Sequence, residues 1–359
     1  MKIAYFISSH GFGHAARSAA IMEQLRLKRP DLVLEIYGGT PEWFFHDSHL
    51  TNYHFHPGAV DVGLVQKSPM VHDLDASVTS IRSYLWELPR RSEELARELR
   101  SYAVDAVICD ISPLGIAAAK KADLPCFLFE NFTWEWIYEP YEREHPDFKE
   151  INARYRELFA LPDFRMQSEP LCKIISEADC IIPPASRMVH ESASECRARL
   201  GVPSDHRMGL VSMGGIPEDL EFALNHELPN GVTLVLSGSF ERFERRGNRI
   251  LLPHHSQFYH PDLVNAADFL IGKAGYSTIG EVCNSGTAYG CISRDNLRES
   301  MITSAFLAKR PNTMEISPER SNAFTLTEEI ETLINMGKIA PQAQNGAELA
   351  AEFILNKLS

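Results

Sequence analysis

Two glycine-rich turns constrain the fold of this chain more than any other feature. Residues 9–14 (Ser-His-Gly-Phe-Gly-His) follow the apolar run 3–7, and residues 272–278 (Gly-Lys-Ala-Gly-Tyr-Ser-Thr) follow the run 269–271. Each turn opens a segment with helical periodicity, so backbone N–H groups and a helix N-terminus point at one spot and form an anion site. Two such turns predict two α/β domains and a ligand that carries phosphate.

Length and composition narrow the class of protein. A chain of 359 residues suits two domains, because single cores stop growing at about 250–300 residues. The net charge of −13 disfavours a nucleic-acid partner, which needs a basic face. The arginines within 242–249 are either a solvated turn or a contact for an anionic surface, so a membrane-surface partner lacks support.

The seven cysteines include no CxxC pair, which indicates neither a zinc site nor a disulfide framework and fits the reducing cytoplasm. We expect no metal site. No apolar run reaches the roughly 20 residues of a membrane span.

Short apolar runs alternate with helical segments, the pattern of parallel sheets wrapped by helices. Strands are expected over 3–8, 32–37, 106–109, 126–129, 180–182, 210–213, 233–237, 250–252, 269–271 and 289–292. The main helices are expected over 15–27, 83–100, 115–122, 277–284, 298–308 and 326–335. Residues 58–78 lack a clear period and are expected to form a loop.

This pattern predicts an α/β fold of two Rossmann-like domains that face a central cleft. The predicted boundaries are 1–185 for the first domain, 186–206 for a linker, 207–340 for the second domain and 341–359 for a final helix. A return of that helix to the N-terminal domain is one of its open placements.

The N-terminal turn formally matches the dinucleotide fingerprint G-x-G-x-x-A over residues 11–16. A nicotinamide site also needs an acidic residue at the tip of the second strand, whereas Glu35 lies inside it. The fingerprint leaves His10 and His14 unexplained. A histidine at this edge of a sheet suits proton abstraction from a hydroxyl, because the ordinary pKa of its imidazole is near neutral.

We expect His14 to act as the general base and Asp110, at the tip of another strand, to orient it. Two structural alternatives stay open. His14 could simply bind a neighbouring loop at the helix start, and for His10 this reading is favoured. Asp110 could cap the helix that begins near Pro113.

In the C-terminal turn, Ser277 or Thr278 can cap the following helix. Thr278 and Glu281 have the spacing of a capping box, which is the structural interpretation of Glu281. The functional one is that its carboxylate accepts hydrogen bonds from a ribose diol, with Ser277 and Thr278 at a diphosphate.

Two further segments follow strands of the second half. Gly214 and Gly215 lack side chains and would let a ligand approach the backbone. Arg294 could neutralise phosphate and Glu299 could bind sugar hydroxyls, with a solvated charged loop as the equal alternative.

Together these motifs resemble the GT-B glycosyltransferases, particularly the MurG-like and diacylglycerol-glucosyltransferase-like branch. The resemblance rests on the Gly-His turn and on residues 268–281, which are similar to the donor motif of that superfamily. Residues 10–17 and 130–134 (Glu-Asn-Phe-Thr-Trp) are more similar still to the glycosyltransferase-like domain of plant arabinokinases and its free-standing bacterial relatives.

The resemblance implies an enzyme that transfers a sugar from a nucleotide-diphosphate donor such as a UDP-sugar to an acceptor hydroxyl, with inversion and without a metal or other cofactor. The donor residues would be Gly214, Gly215, Lys273, Gly275, Ser277, Thr278, Glu281, Arg294 and Glu299. The acceptor residues would be His10, Gly11, Gly13, Arg17, Asn131 and Trp134, beside the catalytic pair His14 and Asp110.

The chain departs from that superfamily at Arg17, where many members carry proline, and at residues 287–289 after the donor helix. Two alternatives to a glycosyltransferase stay open. One is a nucleotide-sugar epimerase of the same fold, which would need further acid–base carboxylates. The other is a binding module of the same fold without turnover.

Overall fold

A computed structural model describes residues 1–68, 71–214, 224, 227–292, 298–323 and 326–359. The chain divides into two compact units. Unit 1 comprises Met1–His10, His14–Pro183 and Gly346–Ser359, and unit 2 comprises Gly11–Gly13 and Pro184–Asn345.

The first half of the chain alternates strands and helices. Its strands are β1 (Lys2–Ile7), β2 (Val33–Gly38), β3 (Tyr53–Pro57), β4 (Val65–Ser68), β5 (Val71–Asp73), β6 (Ala106–Asp110), β7 (Cys126–Glu130), β8 (Phe164–Ser168) and β9 (Cys180–Ile182). Its helices are α1 (Phe12–Lys28), α2 (Trp43–Asp47), α3 (Leu74–Ser101), α4 (Pro113–Ala122), α5 (Trp134–Tyr138) and α6 (Phe148–Phe159), with a 3₁₀ turn at Glu139–Glu142.

The second half repeats the pattern. Its strands are β10 (Arg207–Ser212), β11 (Val232–Phe240), β12 (Glu244–Arg246), β13 (Arg249–Pro253), β14 (Phe269–Lys273), β15 (Ala288–Ile292) and β16 (Thr313–Ile316). Its helices are α7 (Ala193–Leu200), α8 (His260–Ala266), α9 (Tyr276–Ser285), α10 (Ser300–Leu307), α11 (Pro318–Ala323), α12 (Thr327–Met336) and α13 (Gly346–Lys357).

Each unit is built on a doubly wound sheet. The order in unit 1 is β3-β2-β1-β6-β7-β8-β9, with all neighbours parallel. The order in unit 2 is β12-β13-β11-β10-β14-β15-β16, in which β12 runs antiparallel to β13. The central strands β1, β6, β10 and β14 are almost fully buried, as the apolar runs of parallel strands predict.

Strand order reverses at β1/β6 in unit 1 and at β10/β14 in unit 2. In open α/β sheets ligands bind outside the carboxyl ends of the strands at such a switch point. Both glycine turns of the sequence lie there, because one follows β1 and the other follows β14.

Residues 186–206, expected as a linker, lie inside unit 2. Ser192 and Glu195 form a capping box that starts α7, and Cys196 and Leu200 of this helix are buried in the core. The final helix α13 lies in unit 1, where Phe353 packs edge-on against Phe127.

The segment 58–78 contains more regular structure than the expected loop. It includes the antiparallel β4–β5 hairpin and the start of α3, where the Asp73 side chain accepts a hydrogen bond from the Ala76 N–H at 3.0 Å. Residues 69 and 70 of this segment lie outside the described residues.

Candidate functional site

The N-terminal turn brings its two histidines to the switch point of unit 1. Gly11 has a φ of +81°, which favours glycine, and α1 begins at the next residue. His10 and His14 therefore follow the carboxyl end of β1, and Asp110 ends the neighbouring strand β6.

His14, Arg17 and Asp110 form a buried group that we call the Asp110 cluster. The His14 Nδ1 atom lies 2.7 Å from Asp110 Oδ1, and since a carboxylate only accepts, Nδ1 carries the proton. Arg17 donates from Nη2 to Oδ1 at 2.5 Å and from Nε to Oδ2 at 2.6 Å. Ser18 adds a fourth hydrogen bond to Oδ2 at 3.1 Å. The structure thus brings together the predicted pair and adds a bidentate arginine.

The charges of this cluster fix the ionisation of its carboxyl group. Burial alone would raise the pKa of Asp110, but the positive charge of Arg17 and the contact with His14 lower it to about 2. The capping role proposed for Asp110 is wrong, because Ser112 caps α4 and accepts from the Gly115 N–H at 3.2 Å.

Asn131 and Trp134 extend the site along β7 and α5. Arg17 Nη1 donates to Asn131 Oδ1, and Asn131 in turn donates to the carbonyl of Ser168. The ring of Trp134 is buried, and its Nε1–H donates to Asp61 Oδ2 at 3.1 Å. Asn131 therefore supports Arg17, whereas Trp134 supports a carboxylate that the sequence analysis missed.

That missed carboxylate, Asp61, faces His10. Its Oδ1 atom lies 3.9 Å from His10 Nε2 and has no hydrogen-bond partner among the described residues. The His10 ring also packs edge-on against Trp134, with 4.7 Å between ring centroids. A single aspartate in a segment without period gives no sequence signal, so only the fold identifies this pair.

The C-terminal turn forms the corresponding edge of unit 2. Helix α9 begins at Tyr276 with Gly275 as its N-cap, and no side chain caps it. The predictions that Ser277 or Thr278 caps the helix, and that Thr278 and Glu281 form a capping box, are therefore wrong. The helix starts earlier than expected, which places Glu281 beyond its first turn.

Glu281 instead forms a buried group with Arg187 and His260, which we call the Glu281 cluster. Arg187 Nη2 donates to Oε1 at 2.9 Å, and His260 Nδ1 donates to Oε2 at 2.6 Å. The other nitrogen of His260 lies 2.9 Å from the Ser212 hydroxyl, at the end of β10. Burial would raise the pKa of Glu281, but His260 and Arg187 lower it to about 2.

The remaining donor-side residues lie at the same sheet edge or outside the described residues. Lys273 ends β14, and Gly214, with a φ of +88°, lies two residues beyond β10. Glu299 immediately precedes α10. Gly215 and Arg294 lie outside the described residues.

Among the described residues, no group of three or more His, Cys, Asp or Glu side chains could hold a metal ion. Within the same residues, no helix combines the length and the apolar character of a membrane span.

Comparisons with known proteins address the predicted resemblance. Residues 1–146 match the family model described as glycosyl transferase family 1. The chain is 25% identical to an L-arabinokinase of Arabidopsis thaliana over 361 residues, which cover 99% of this chain and 34% of that protein. The chain thus spans about a third of the length of this curated relative.

Solved structures match the fold. MurG of Acinetobacter baumannii aligns with a TM-score of 0.57 and 13% identity, covering 99% of each chain. UGT89C1 of Arabidopsis thaliana, complexed with UDP, aligns with a TM-score of 0.62 and 12% identity, also covering 99% of each chain. The GT-B fold and the N-terminal family match together confirm the resemblance to GT-B glycosyltransferases that the sequence predicts.

Proposed function

We propose that the protein is a glycosyltransferase that moves a sugar from a nucleotide-diphosphate donor to an acceptor hydroxyl, with inversion and without a metal. The carrying observation is the pair of histidines that one glycine turn holds at the switch point of unit 1, one of them bonded to buried Asp110 at 2.7 Å. The family match covers this same region.

The donor is assigned to unit 2. UGT89C1, which has this fold, is complexed with UDP, and this supports a uridine diphosphate sugar as the first donor to test. The amino end of α9 offers backbone N–H groups and a positive dipole end to a diphosphate, and Lys273 ends the adjacent strand. These groups would stabilise the charge that develops on the leaving diphosphate.

The acceptor is assigned to unit 1. Its hydroxyl oxygen attacks the anomeric carbon as the bond from that carbon to the diphosphate breaks, and the electron pair leaves on the diphosphate. A histidine of the glycine turn takes the hydroxyl proton. The sequence predicts His14 with Asp110 for this step, and His10 lies four residues before it in the same turn.

The test combines donor binding with turnover. We expect UDP to raise the melting temperature of the wild-type protein, because a ligand that binds only the folded state stabilises it. With UDP-sugars and a panel of hydroxyl acceptors, the wild type should produce UDP. The double variant His10→Ala/His14→Ala should still bind UDP but should produce none from the UDP-sugars. Stabilisation without release by the wild type would indicate a binding module, and stabilisation by NAD alone would refute the proposal.

A further inference from the structure

With an uncharged imidazole on His14, the Asp110 cluster has no net charge. The carboxylate charge of Asp110 is matched by the guanidinium of Arg17, which contacts both of its oxygens. Arg17 Nη2 also lies 3.0 Å from His14 Nδ1, so Asp110 and Arg17 together enclose this side of the ring. The His14 side chain is only 8% exposed, which leaves little of it accessible to an acceptor.

The neighbouring pair of His10 and Asp61 has a negative net charge when the imidazole of His10 is uncharged. The Asp61 carboxylate makes its one described ion pair with His10, and no arginine contacts it within the described part of the chain. A proton added to His10 would therefore neutralise the pair instead of charging it. The His10 side chain is 40% exposed, against 8% for His14, so His10 is the one that an acceptor can reach.

The segment that carries Asp61 is held firmly in place. The Val60 carbonyl accepts hydrogen bonds from Tyr84 at 2.8 Å and from Ser112 at 3.1 Å. The Val62 carbonyl accepts one from Tyr138 at 2.7 Å. Beside it, a Cβ atom at position 63 would lie 2.2 Å from His10 Cε1, so only glycine lets the ring pack here. These contacts therefore fix the position of Asp61 beside His10.

We propose that His10 is the general base, with Asp61 as its positioning residue, and that the Asp110 cluster is a neutral anchor for the turn. The inference rests on the proposed transfer reaction. The acceptor proton moves to Nδ1 of His10, the acceptor oxygen bonds to the anomeric carbon, and the diphosphate leaves with the electron pair of the broken bond. The Nε2–H then donates to the unpartnered Oδ1 of Asp61.

The charged groups around His10 support this role. Partial burial and the neighbouring His14 lower the pKa of His10, while the Asp61 carboxylate raises it. The lowered pKa leaves the ring unprotonated at neutral pH, the form that a base requires, and Asp61 stabilises the imidazolium once the proton has arrived.

Kinetics of four variants test the assignment. We expect His10→Gln to lower kcat by about 10²–10⁴-fold, the range for loss of a general base, with UDP binding unchanged. Asp61→Asn should lower kcat by about tenfold and move the acidic limb of the pH profile to lower pH, which a merely structural role would not do. The control His46→Gln, on an exposed side chain of α2, should match the wild type. If His10→Gln keeps kcat within threefold while His14→Gln abolishes turnover, His14 is the base and the inference is overturned.

A second measurement tests the pairing of His10 with Asp61 even if no transfer is detected, which would be a failure of the proposed function. Histidine side-chain ¹⁵N spectra follow the protonation of His10 as the pH falls. Asp61→Asn should lower the pH at which His10 takes up its proton, while Arg82→Gln, on the exposed face of α3, should leave it unchanged. An unchanged His10 titration in Asp61→Asn would overturn the pairing.

Discussion

The Asp110 cluster of unit 1 and the Glu281 cluster of unit 2 contain the same three kinds of side chain but are assembled differently. In each, a buried carboxylate with a pKa near 2 joins one histidine and one arginine at the switch point of its sheet. The histidine and arginine of the first cluster lie three residues apart on α1. In the second cluster the arginine lies 94 residues and the histidine 21 residues from the glutamate along the chain.

The two histidines also differ in exposure. His260 is 27% exposed and lies against Ser212, whereas His14 is 8% exposed. In the glycine turn of unit 1 the more exposed histidine is His10, which lies outside the Asp110 cluster. In both units the buried carboxylate holds a histidine and an arginine in place by hydrogen bonds, and a partly exposed histidine is the side chain that a ligand can reach. Since both oxygens of Glu281 already accept hydrogen bonds, its contact with ribose stays a prediction.

The largest expected difference between the clusters is in stability. Asp110→Asn leaves the buried guanidinium of Arg17 without its counter-charge, which should destabilise unit 1 by about 3–5 kcal/mol. Glu281→Gln should cost unit 2 about 1–3 kcal/mol, because Glu281 accepts two of the described hydrogen bonds, whereas Asp110 accepts four. Urea unfolding, monitored by the hydrogen exchange of backbone amides in each unit, measures the two stabilities separately.

The matched control for that prediction is the double variant Arg17→Met/Asp110→Asn, which removes both charges. It should recover part of the stability lost in Asp110→Asn, as expected when the loss comes from an unpaired buried charge. If Asp110→Asn and Glu281→Gln lost equal unfolding free energy and the double variant recovered none, the two clusters would be energetically alike.

The second expected difference is in the response to acid. Both folded-state pKa values are lowered, Asp110 from 3.8 and Glu281 from 4.5, each to about 2. A carboxyl group with a lowered pKa stabilises the fold at pH values above its pKa in the unfolded state. This stability is lost as the pH falls toward its pKa in the folded state. The complete loss, reached only below the folded-state pKa, should amount to about 2 kcal/mol for Asp110 and about 3 kcal/mol for Glu281.

Urea midpoints measured at intervals between pH 7 and pH 2 follow this acid response. The drop in stability should begin at a higher pH in unit 2, because the ordinary pKa of a glutamate is higher than that of an aspartate. Each drop should shrink in the variant that lacks the corresponding carboxyl group. A drop that persists in both Asp110→Asn and Glu281→Gln would assign acid sensitivity to other groups, such as Glu35, whose pKa is also lowered by its histidine partners against the effect of burial.

The central part of the fold could be predicted from the sequence, because buried parallel strands are continuous apolar runs. Besides the β4–β5 hairpin, the strands that were missed are β3, β8, β12 and β16, which carry polar or half-exposed residues that hide a buried-strand pattern. Helix α3 begins nine residues before its expected start at 83, because Asp73 caps it in a segment without clear period.

The site divides in the same way. His14 and Asp110 could be predicted because both follow recognisable strands and one lies in a glycine motif. Asp61, Arg187 and His260 could not, because each is a single polar residue whose partner lies far away in the sequence. The spacing of Thr278 and Glu281 even favoured a local partner, although the fold supplies distant ones.

The smallest expected difference is in ligand affinity, and it tests whether each cluster serves its own unit. Glu281→Gln loosens His260 and Arg187 beside the switch point of unit 2, so we expect UDP to bind about tenfold more weakly, or about 1.4 kcal/mol. A conservative change at Asp110 lies in unit 1 and should alter the UDP Kd by less than about twofold. Titration calorimetry on both variants measures this, at a temperature where each is folded. If Asp110→Asn weakened UDP binding as much as Glu281→Gln, the assignment of the donor to unit 2 alone would be wrong, since two sites that affect one ligand equally must share it or be coupled.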